Sequence, residues 1–281
     1  MEIKPGQYNT LRVVKKVDFG IYLDGGEMGE ILMPAKWVPD GTAPDDLLEV
    51  FIYFDSEDRP IATTLKPKAV VGEFTFLEVM DVTNIGAFLD WGLDKDVLVP
   101  FKEQKAKMEQ GKKYLVYLYL DPRTKRIVAS ARIEKYLDVE PADYVQGQEV
   151  NLIIWIRSEM GYKAIVDQKH LGLLYKNEIF SEIHTGEKLK GYISQVRPDG
   201  KIDLSLQKQG FENQVDELSE RILRLLKEEE GFLPVMDKTP PEQIYQMFNM
   251  SKKNFKKALG NLMKRKIISI GENGISLLQS G

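Results

Sequence analysis

A threefold internal repeat constrains the fold of this chain more than any other feature of its sequence. Each repeat has a glycine followed by a second glycine fourteen positions later, in the pairs Gly6 with Gly20, Gly72 with Gly86, and Gly147 with Gly161. An isoleucine that opens a short apolar run stands 55 positions after each first glycine, at Ile61, Ile127 and Ile202. The recurrence of both spacings predicts three copies of one small folding unit.

Each copy contains short stretches that are typical of β-strands. One apolar stretch recurs at the same offset, as "EILMP" at 30–34, "DVLVP" at 96–100 and "LGLLY" at 171–175. A longer stretch, rich in β-branched and aromatic residues, recurs at 47–54, 113–120 and 188–196. About five strands in about 60–65 residues, with a glycine bend in an early strand, predict a small closed barrel of the OB type.

The repeats resemble S1-type RNA-binding domains in three motifs. The first motif, on the second strand, reads Phe19-Gly20-Ile21-Tyr22, Ile85-Gly86-Ala87-Phe88 and Met160-Gly161-Tyr162-Lys163. The second motif is a box that ends in histidine in the family and ends here in Pro34, Pro100 and Tyr175. The third motif is a basic residue at the closing strand, present as Lys66 and Arg132 but replaced by Gln207 in the third repeat.

This resemblance implies that the barrels bind single-stranded RNA. Aromatic side chains on one barrel face can stack on unpaired bases, and nearby Lys or Arg residues can neutralise phosphates. The residues expected to bind RNA are Tyr22, Phe88, Trp91, Arg132, Tyr162, Lys163 and Tyr175. Further basic residues in the second and third repeats are Arg123, Lys125, Arg126 and Arg157. The alternative is that Tyr22 and Phe88 only pack a small barrel, since alternation does not tell which face is exposed.

The first repeat differs from the others in charge. The whole chain has a formal net charge of -4, and residues 1–66 carry 7 basic against 12 acidic residues. Like charge would oppose phosphate contact in this repeat. We therefore expect the first repeat to be a scaffold, a protein-contact surface or a weak RNA binder, and we favour the second and third repeats for RNA.

After residue 208 the pattern changes from strands to helices. Residues 212–231 place apolar side chains at helical spacing, with Gly231 as a stop signal. Thr239 is expected to cap a second helix that opens with Pro240, and Ser251 is expected to cap a third. Residues 267–278 then read as two strands around a glycine-containing turn. This order resembles the winged-helix family.

The third helix, at 251–266, carries seven basic residues and no acid. At about 100° per residue, an apolar stripe forms the core side, consisting of Phe255, Ala258, Leu259, Leu262 and Met263. The residues expected to contact nucleic acid lie on or beside the opposite face, and they are Lys253, Lys256, Lys257, Asn261 and Lys264. The alternative is an ordinary solvated helix face.

These patterns predict a multidomain protein, mainly β with an α/β tail. The predicted domains are three S1-type OB-fold barrels at 1–66, 67–139 and 140–209, followed by a winged-helix domain at 210–281. This arrangement resembles the bacterial conserved virulence factor B family over nearly the whole chain. The resemblance implies RNA binding with a role in the control of gene expression, including virulence genes in some bacteria.

The sequence contains few residues or motifs that are typical of an enzyme. It has two histidines and no cysteine, and we find no P-loop, dinucleotide, zinc-protease or nucleophile-elbow motif. We therefore expect no catalysis, no cofactor and no metal site. The N-terminus lacks the pattern of a signal peptide and no apolar run approaches about 18 residues, so we expect a cytoplasmic protein without membrane contact.

Three partners remain open at this point. Single-stranded RNA is the favoured partner of the barrels and the basic helix. DNA is an alternative for the winged helix, and a protein partner on the ribosome or RNA polymerase is an alternative for the acidic first repeat. We expect a monomer.

Overall fold

The repeated apolar stretches form strands where the sequence predicts them. The computed structural model describes residues 2–138, 143–176, 179, 182–207, 213–236, 238–271 and 273–278, without the side chains of 213–217. The chain divides into two compact units, Met1–Asp138 and Val139–Gly281. The first unit holds two barrels, and the second holds the third barrel and the helical region.

The three barrels have five strands each. Barrel 1 contains β1 (Tyr8–Val17), β2 (Gly20–Asp24), β3 (Glu30–Pro34), β4 (Leu47–Phe54) and β5 (Pro60–Thr63). Barrel 2 contains β6 (Phe74–Val82), β7 (Gly86–Leu89), β8 (Val97–Pro100), β9 (Lys113–Leu120) and β10 (Ile127–Ser130). Barrel 3 contains β11 (Glu149–Arg157), β12 (Gly161–Val166), β13 (His170–Tyr175), β14 (Lys188–Val196) and β15 (Ile202–Ser205). All these strands fall within the three predicted segments, whose boundaries themselves stay a prediction.

All three barrels close in the same way. The first strand pairs with the second and fourth, the second with the third, and the fifth joins the third in parallel and the fourth in antiparallel fashion. A bulge interrupts the first strand at the same place in each copy, after Val13, Val79 and Ile154. A bulge bends its strand and increases the local twist, which helps five short strands to close.

Steric constraints explain why the second glycine of each repeat is a glycine. These glycines open β2, β7 and β12 with φ between 152° and 155°, a backbone region that L side chains rarely adopt. A Cβ atom at any of them would lie 2.0–2.3 Å from a backbone carbonyl oxygen of the neighbouring strand. The repeated glycine is therefore a site where two strands come closer than a side chain permits.

Barrels 1 and 2 share part of one core. Phe51 and Tyr53 of barrel 1 belong to the same buried apolar cluster as the interior of barrel 2. The rings of Phe51 and Trp91 meet edge to face at 5.5 Å, and Trp91 Nε1 donates a hydrogen bond of 2.7 Å to the Ala69 carbonyl. The Trp91 side chain is 3% exposed and joins the two barrels, so it is not an exposed stacking surface, and its contact with RNA stays a prediction.

Replacing Trp91 with phenylalanine should lower the free energy of unfolding of the Met1–Asp138 unit by about 1–3 kcal/mol, because the buried Ala69 carbonyl loses its donor. Trp37→Phe is the matched control, since Trp37 Nε1 is buried without a hydrogen-bond partner in the described part of the chain. Urea unfolding followed by far-ultraviolet circular dichroism measures both variants. An equal loss in both would contradict a specific role for the Trp91 hydrogen bond.

The helical region is a winged helix. Its elements are α1 (Asn213–Glu228), β16 (Phe232–Leu233), α2 (Pro241–Phe248), α3 (Lys252–Lys264), β17 (Ile268–Ile270) and β18 (Ile275–Leu277). The three strands form a sheet in the order β16-β18-β17, and the helices and sheet bury one apolar core. Three closed barrels and this domain confirm the predicted fold class.

The helix ends agree with the sequence signals with one exception. The Ser251 hydroxyl accepts a hydrogen bond of 3.1 Å from the Asn254 N–H, so Ser251 caps α3 as predicted. Thr239 does not cap α2, because the helix begins two residues later, at Pro241. The extended conformation of Pro240 (ψ 144°) explains the shift, since a residue that precedes proline is disfavoured in the helical region. The Thr239 hydroxyl instead accepts a hydrogen bond of 2.9 Å from the Met236 N–H.

Among the described residues, no helix combines the length and the apolar character that crossing a bilayer would require.

Candidate nucleic-acid interface

The second and third strands of an OB barrel, with the loops between strands 1 and 2 and between strands 4 and 5, form the face on which such folds bind oligonucleotides. In the present barrels this face consists of β2 and β3, β7 and β8, and β12 and β13. The loops that follow the first strand end at the repeated glycine. The loops between the fourth and fifth strands are 55–59, 121–126 and 197–201.

One outward position on this face is equivalent in the three barrels. It lies two residues after the glycine and is occupied by Tyr22, Phe88 and Lys163. Each of these residues pairs across the sheet with a leucine of the next strand, and the leucines are Leu32, Leu98 and Leu173. Tyr22 and Phe88 are half-buried and their strand neighbours Ile21 and Ala87 point into the barrel. Tyr22 and Phe88 therefore lie on the outer face of their barrels, which alternation in the sequence did not reveal.

Tyr162 differs from the other strand aromatics. It stands one residue after its glycine rather than two, so it shares the inward side of β12 with Ala164 and packs against the core of barrel 3. Its side chain is half-buried and also lines an open groove of about 530 Å³. Lys163, not Tyr162, occupies the outward position that Phe88 occupies in barrel 2. Contact of either residue with RNA stays a prediction.

The box position lies directly opposite the repeated glycine. Pro34, Pro100 and Tyr175 pair with Gly20, Gly86 and Gly161 in the three sheets. The Tyr175 hydroxyl accepts a hydrogen bond from the Arg197 guanidinium, which also lies 5.9 Å from the centre of the tyrosine ring. Arg197 is held in turn by Asp203 at 2.8 Å. Tyr175 is therefore fixed in place on the predicted binding face.

A set of exposed apolar side chains on this face escaped the sequence analysis. The residue just before each repeated glycine is an exposed large apolar residue, namely Phe19 (59% exposed), Ile85 (54%) and Met160 (60%). In barrel 1 the rings of Phe19 and Tyr22 meet edge to face at 6.3 Å. The signal was present in the sequence, because all three positions belong to the first S1-like motif. We call these three residues the apolar tips.

Three of the seven basic residues of barrel 1 pair with acids of the same barrel, and they are Arg12, Lys15 and Arg59. Arg12 contacts Asp24 at 3.2 Å and Asp45 at 3.0 Å, and Lys15 contacts Glu30 at 2.5 Å. A hydrogen bond from the Gly26 N–H, together with the Arg12 guanidinium, lowers the pKa of Asp24. Lys15 also lies 4.7 Å from the centre of the Tyr22 ring, so it covers the aromatic on the binding face. Barrel 1 thus offers little positive charge to a phosphate.

Barrel 3 has the opposite character. Arg157 and Lys176 line the same groove as Tyr162, together with His184. Within the residues that the structure describes, no acidic partner lies within 4 Å of Arg157, Lys163 or Lys176. Glu182 also lines the groove and lies 3.7 Å from His184. Arg157 and Lys176 against this one acid leave the groove net basic beside the predicted binding face.

Barrel 2 is intermediate between the other two in the positive charge near its binding face. The Arg132 side chain is exposed and its Nε donates a hydrogen bond of 2.9 Å to the Lys102 carbonyl. Arg126, in the loop between the fourth and fifth strands, forms an ion pair with Asp58 of barrel 1. Phe88 and Ile85 line a cleft that barrel 1 closes on one side.

The exposed face of α3 is basic, as predicted. Four of the five residues of the predicted apolar stripe are buried, and they are Phe255, Ala258, Leu259 and Leu262. Met263 is 47% exposed, so its assignment to the core was wrong: it lies at the edge of the stripe, where the helix ends. The predicted contact lysines are all exposed, and they are Lys253, Lys256, Lys257 and Lys264. Asn261 is half-buried.

A hydrogen bond links α3 to barrel 3. The Asn254 amide donates to the Gln207 side-chain oxygen at 3.0 Å. Gln207 stands where the other two repeats have a basic residue, so its departure from the S1-like pattern coincides with a contact to the winged helix. Barrel 3 and the basic helix are therefore joined within one unit.

The described residues contain no group of three or more acidic, histidine or cysteine side chains with the arrangement of a metal site.

These features define a multidomain protein built from OB-fold barrels and a winged helix, two domain classes that bind nucleic acids and are typically non-enzymatic. A family model of the S1 domain matches residues 5–65 and 71–131, and a model of the CvfB-like winged helix domain matches residues 220–277. The chain belongs to the conserved virulence factor B family.

Two relatives illustrate the family. The Bacillus subtilis protein YitL is 31% identical over 272 residues, which cover 93% of this chain and 90% of that protein. Conserved virulence factor B of Staphylococcus haemolyticus is 30% identical over 246 residues, which cover 82% of this chain and 79% of that protein. The sequence resemblance stated above is thereby confirmed.

A solved structure also aligns along the chain. The crystal structure of a multidomain protein with nucleic acid binding domains from Streptococcus pneumoniae covers 98% of both chains at 24% identity, with a TM-score of 0.42.

Proposed function

We propose that this protein binds single-stranded RNA without catalysing a reaction on it, and that it acts in the control of gene expression. The observation that carries the proposal is the unit formed by barrel 3 and the winged helix. It combines a basic groove beside an OB binding face with an exposed basic face on α3. Barrel 2 adds a second OB face, with Phe88 and the apolar tip Ile85.

The chemistry of the surfaces favours unpaired RNA. Stacking of a base on an aromatic side chain contributes about 1–3 kcal/mol and does not require a particular sequence. Phe88 and Tyr175 offer half-buried rings on two barrels, and Lys163 offers a cation at the position equivalent to Phe88. Because the modules share one chain, binding by one raises the effective concentration of the next, so the whole protein should bind more tightly than its parts.

Affinity for a single-stranded RNA of about 30 nucleotides should fall steeply with salt. Six exposed cations support the proposal, namely Arg157, Lys163, Lys176, Lys253, Lys257 and Lys264. If each neutralises one phosphate, the logarithmic slope of affinity against salt is about -4, and affinity falls roughly 300-fold between 50 and 200 mM salt. Fluorescence anisotropy with a labelled RNA measures this slope. A flat dependence would exclude the phosphate-based interface.

Two competing functions predict different outcomes. The basic face of α3 resembles a recognition helix, and a DNA-binding protein would prefer duplex DNA to single-stranded RNA in a competition gel. The acidic surface of barrel 1 suits a protein partner, and an adaptor would retain its ribosomal or polymerase partner in a pull-down from a lysate treated with RNase. Loss of all partners after RNase treatment, together with preference for single-stranded RNA, supports our proposal.

A further inference from the structure

A cleft of about 200 Å³ lies between barrels 1 and 2, within the Met1–Asp138 unit. Barrel 2 contributes the central part of its OB face to this cleft, including Ile85, Phe88 and Leu98. Barrel 1 contributes Phe54, at the end of β4, and residues of the loop that follows it. The binding face of barrel 2 is therefore bounded by a different barrel.

The loop of barrel 1 that borders the cleft is acidic and contacts cations of barrel 2. The Asp58 carboxylate accepts a hydrogen bond from Arg126, which belongs to the loop between the fourth and fifth strands of barrel 2. Lys95 Nζ donates a hydrogen bond of 2.6 Å to the Asp55 carbonyl. Oligonucleotides bind OB folds at this strand face and this loop. Asp58 therefore places a carboxylate where a phosphate on the barrel 2 face would meet Arg126.

The lining of the cleft suits one planar base. Phe54, Ile85 and Phe88 supply apolar and aromatic surface, and the buried Trp91 completes that part of the lining. The volume is below the roughly 300–1,000 Å³ of sites for drug-sized ligands, so it fits a single base better than a larger ligand. Asp96 also lines the cleft; burial raises the pKa of its carboxyl, and the nearby charge of Asp90 raises it further.

We propose that this two-barrel cleft binds one nucleotide of single-stranded RNA, with the base against Phe88 and Phe54 and the phosphate on Arg126 in place of Asp58. The inference rests on the proposed function and adds to it a role for barrel 1. The acidic repeat is then part of a binding site, and its Asp58 competes with RNA for the cation that the site needs.

Replacing Asp58 with asparagine should tighten the binding of a labelled single-stranded RNA to the full-length protein by about 3- to 10-fold. The reason is that Arg126 no longer has to leave a carboxylate. Asn tolerates the positive φ of Asp58 (62°), so the loop should keep its shape. Glu57→Gln is the matched control, because it makes the same charge change in the same loop but its carboxylate contacts Arg59 at 3.0 Å. Glu57→Gln should change the affinity by less than about twofold, as expected for an exposed pair.

Replacing Phe54 with alanine should weaken RNA binding by about 5- to 100-fold, the loss expected when one base loses a stacking partner. Tyr8→Ala is the control for removing an aromatic from barrel 1, since Tyr8 is exposed and does not line the cleft. Thermal unfolding of both variants shows whether they are folded. If Phe54→Ala does not fold, the comparison of Asp58→Asn with Glu57→Gln decides the question alone.

The outcomes separate the two proposals. Salt-dependent RNA binding by the wild type, with no difference between Asp58→Asn and Glu57→Gln, overturns the cleft and leaves the proposed function standing. No RNA binding by the wild type overturns both. Tighter binding by Asp58→Asn alone, with weaker binding by a folded Phe54→Ala, supports the cleft.

Discussion

Replacing Lys253, Lys257 and Lys264 together with alanine is expected to weaken binding to single-stranded RNA by about 100-fold at 0.1 M salt. The three side chains are exposed on α3, opposite its buried stripe. If each neutralises one phosphate, their removal lowers the logarithmic salt slope by about 2, and the deficit disappears as salt approaches 1 M. Anisotropy titrations at several salt concentrations measure both the affinity and the slope.

A control triple separates the helix face from net charge. Lys112, Lys113 and Lys190 are also exposed, each lies 2.9–3.9 Å from a carboxylate, and none belongs to α3 or to an OB binding face. Their joint replacement by alanine makes the same change in net charge, and we expect it to alter the affinity by less than about threefold, because these lysines lie outside the proposed interface. Equal losses of affinity in the two triple variants would show that the overall electrostatic field of the protein attracts RNA. No loss in either variant would show that α3 is not part of the interface.

Replacing Gly161 with alanine is expected to destabilise barrel 3 by about 2–6 kcal/mol. Two costs add at this position. The φ of +152° strains any L side chain, and a Cβ atom would lie 2.0 Å from the Leu174 carbonyl oxygen. The backbone strain costs about 1–3 kcal/mol, and forced overlap in a packed structure costs about 1–3 kcal/mol more.

Gly200→Ala provides the comparison for the steric part of this effect. Gly200 also has a positive φ, of +79°, but a Cβ atom there would meet nothing within 4 Å. We expect this variant to lose only about 1–2 kcal/mol. Each barrel holds one of the three tryptophans, so in a Trp37→Phe, Trp91→Phe background the fluorescence of Trp155 reports the unfolding of barrel 3 in guanidinium. If both glycine variants lose the same free energy, the close strand approach is not what requires glycine.

The sequence predicted the strands well because the signal for them is local and repeated. The stretches at 30–34, 47–54, 113–120 and 188–196 coincide with observed strands, since each is a short segment rich in apolar residues. The repeated glycine spacing then placed equivalent strands at equivalent offsets in the three barrels.

The orientation of individual side chains was harder to predict. Tyr162 was expected to bind RNA as Tyr22 and Phe88 were, but it stands one residue closer to its glycine and so lies on the other side of its strand. Trp91 seemed available for a base, but it is buried by Phe51, which is 40 positions earlier in the chain. Such contacts between repeats leave no trace in a pattern that treats each repeat by itself.

The charge of the candidate site was predictable only in part. The acidity of residues 1–66 was evident in the sequence, but the contact between Asp58 and Arg126 joins residues from two repeats. Arg126 was therefore expected to contact RNA, and the acidic loop was expected to belong to a separate surface. The structure shows that the two form a single ion pair at the edge of the barrel 2 face.

The shared core of barrels 1 and 2 has a consequence for how long an RNA must be. Because Phe51 and Tyr53 pack into the same cluster as barrel 2, the connection between these barrels does not work as a loose tether. The two OB faces are therefore held at a fixed distance from each other. If the weaker face of barrel 1 also contacts RNA, affinity for the full-length protein would therefore rise in a step among RNAs of increasing length, at the length that first reaches from one face to the other.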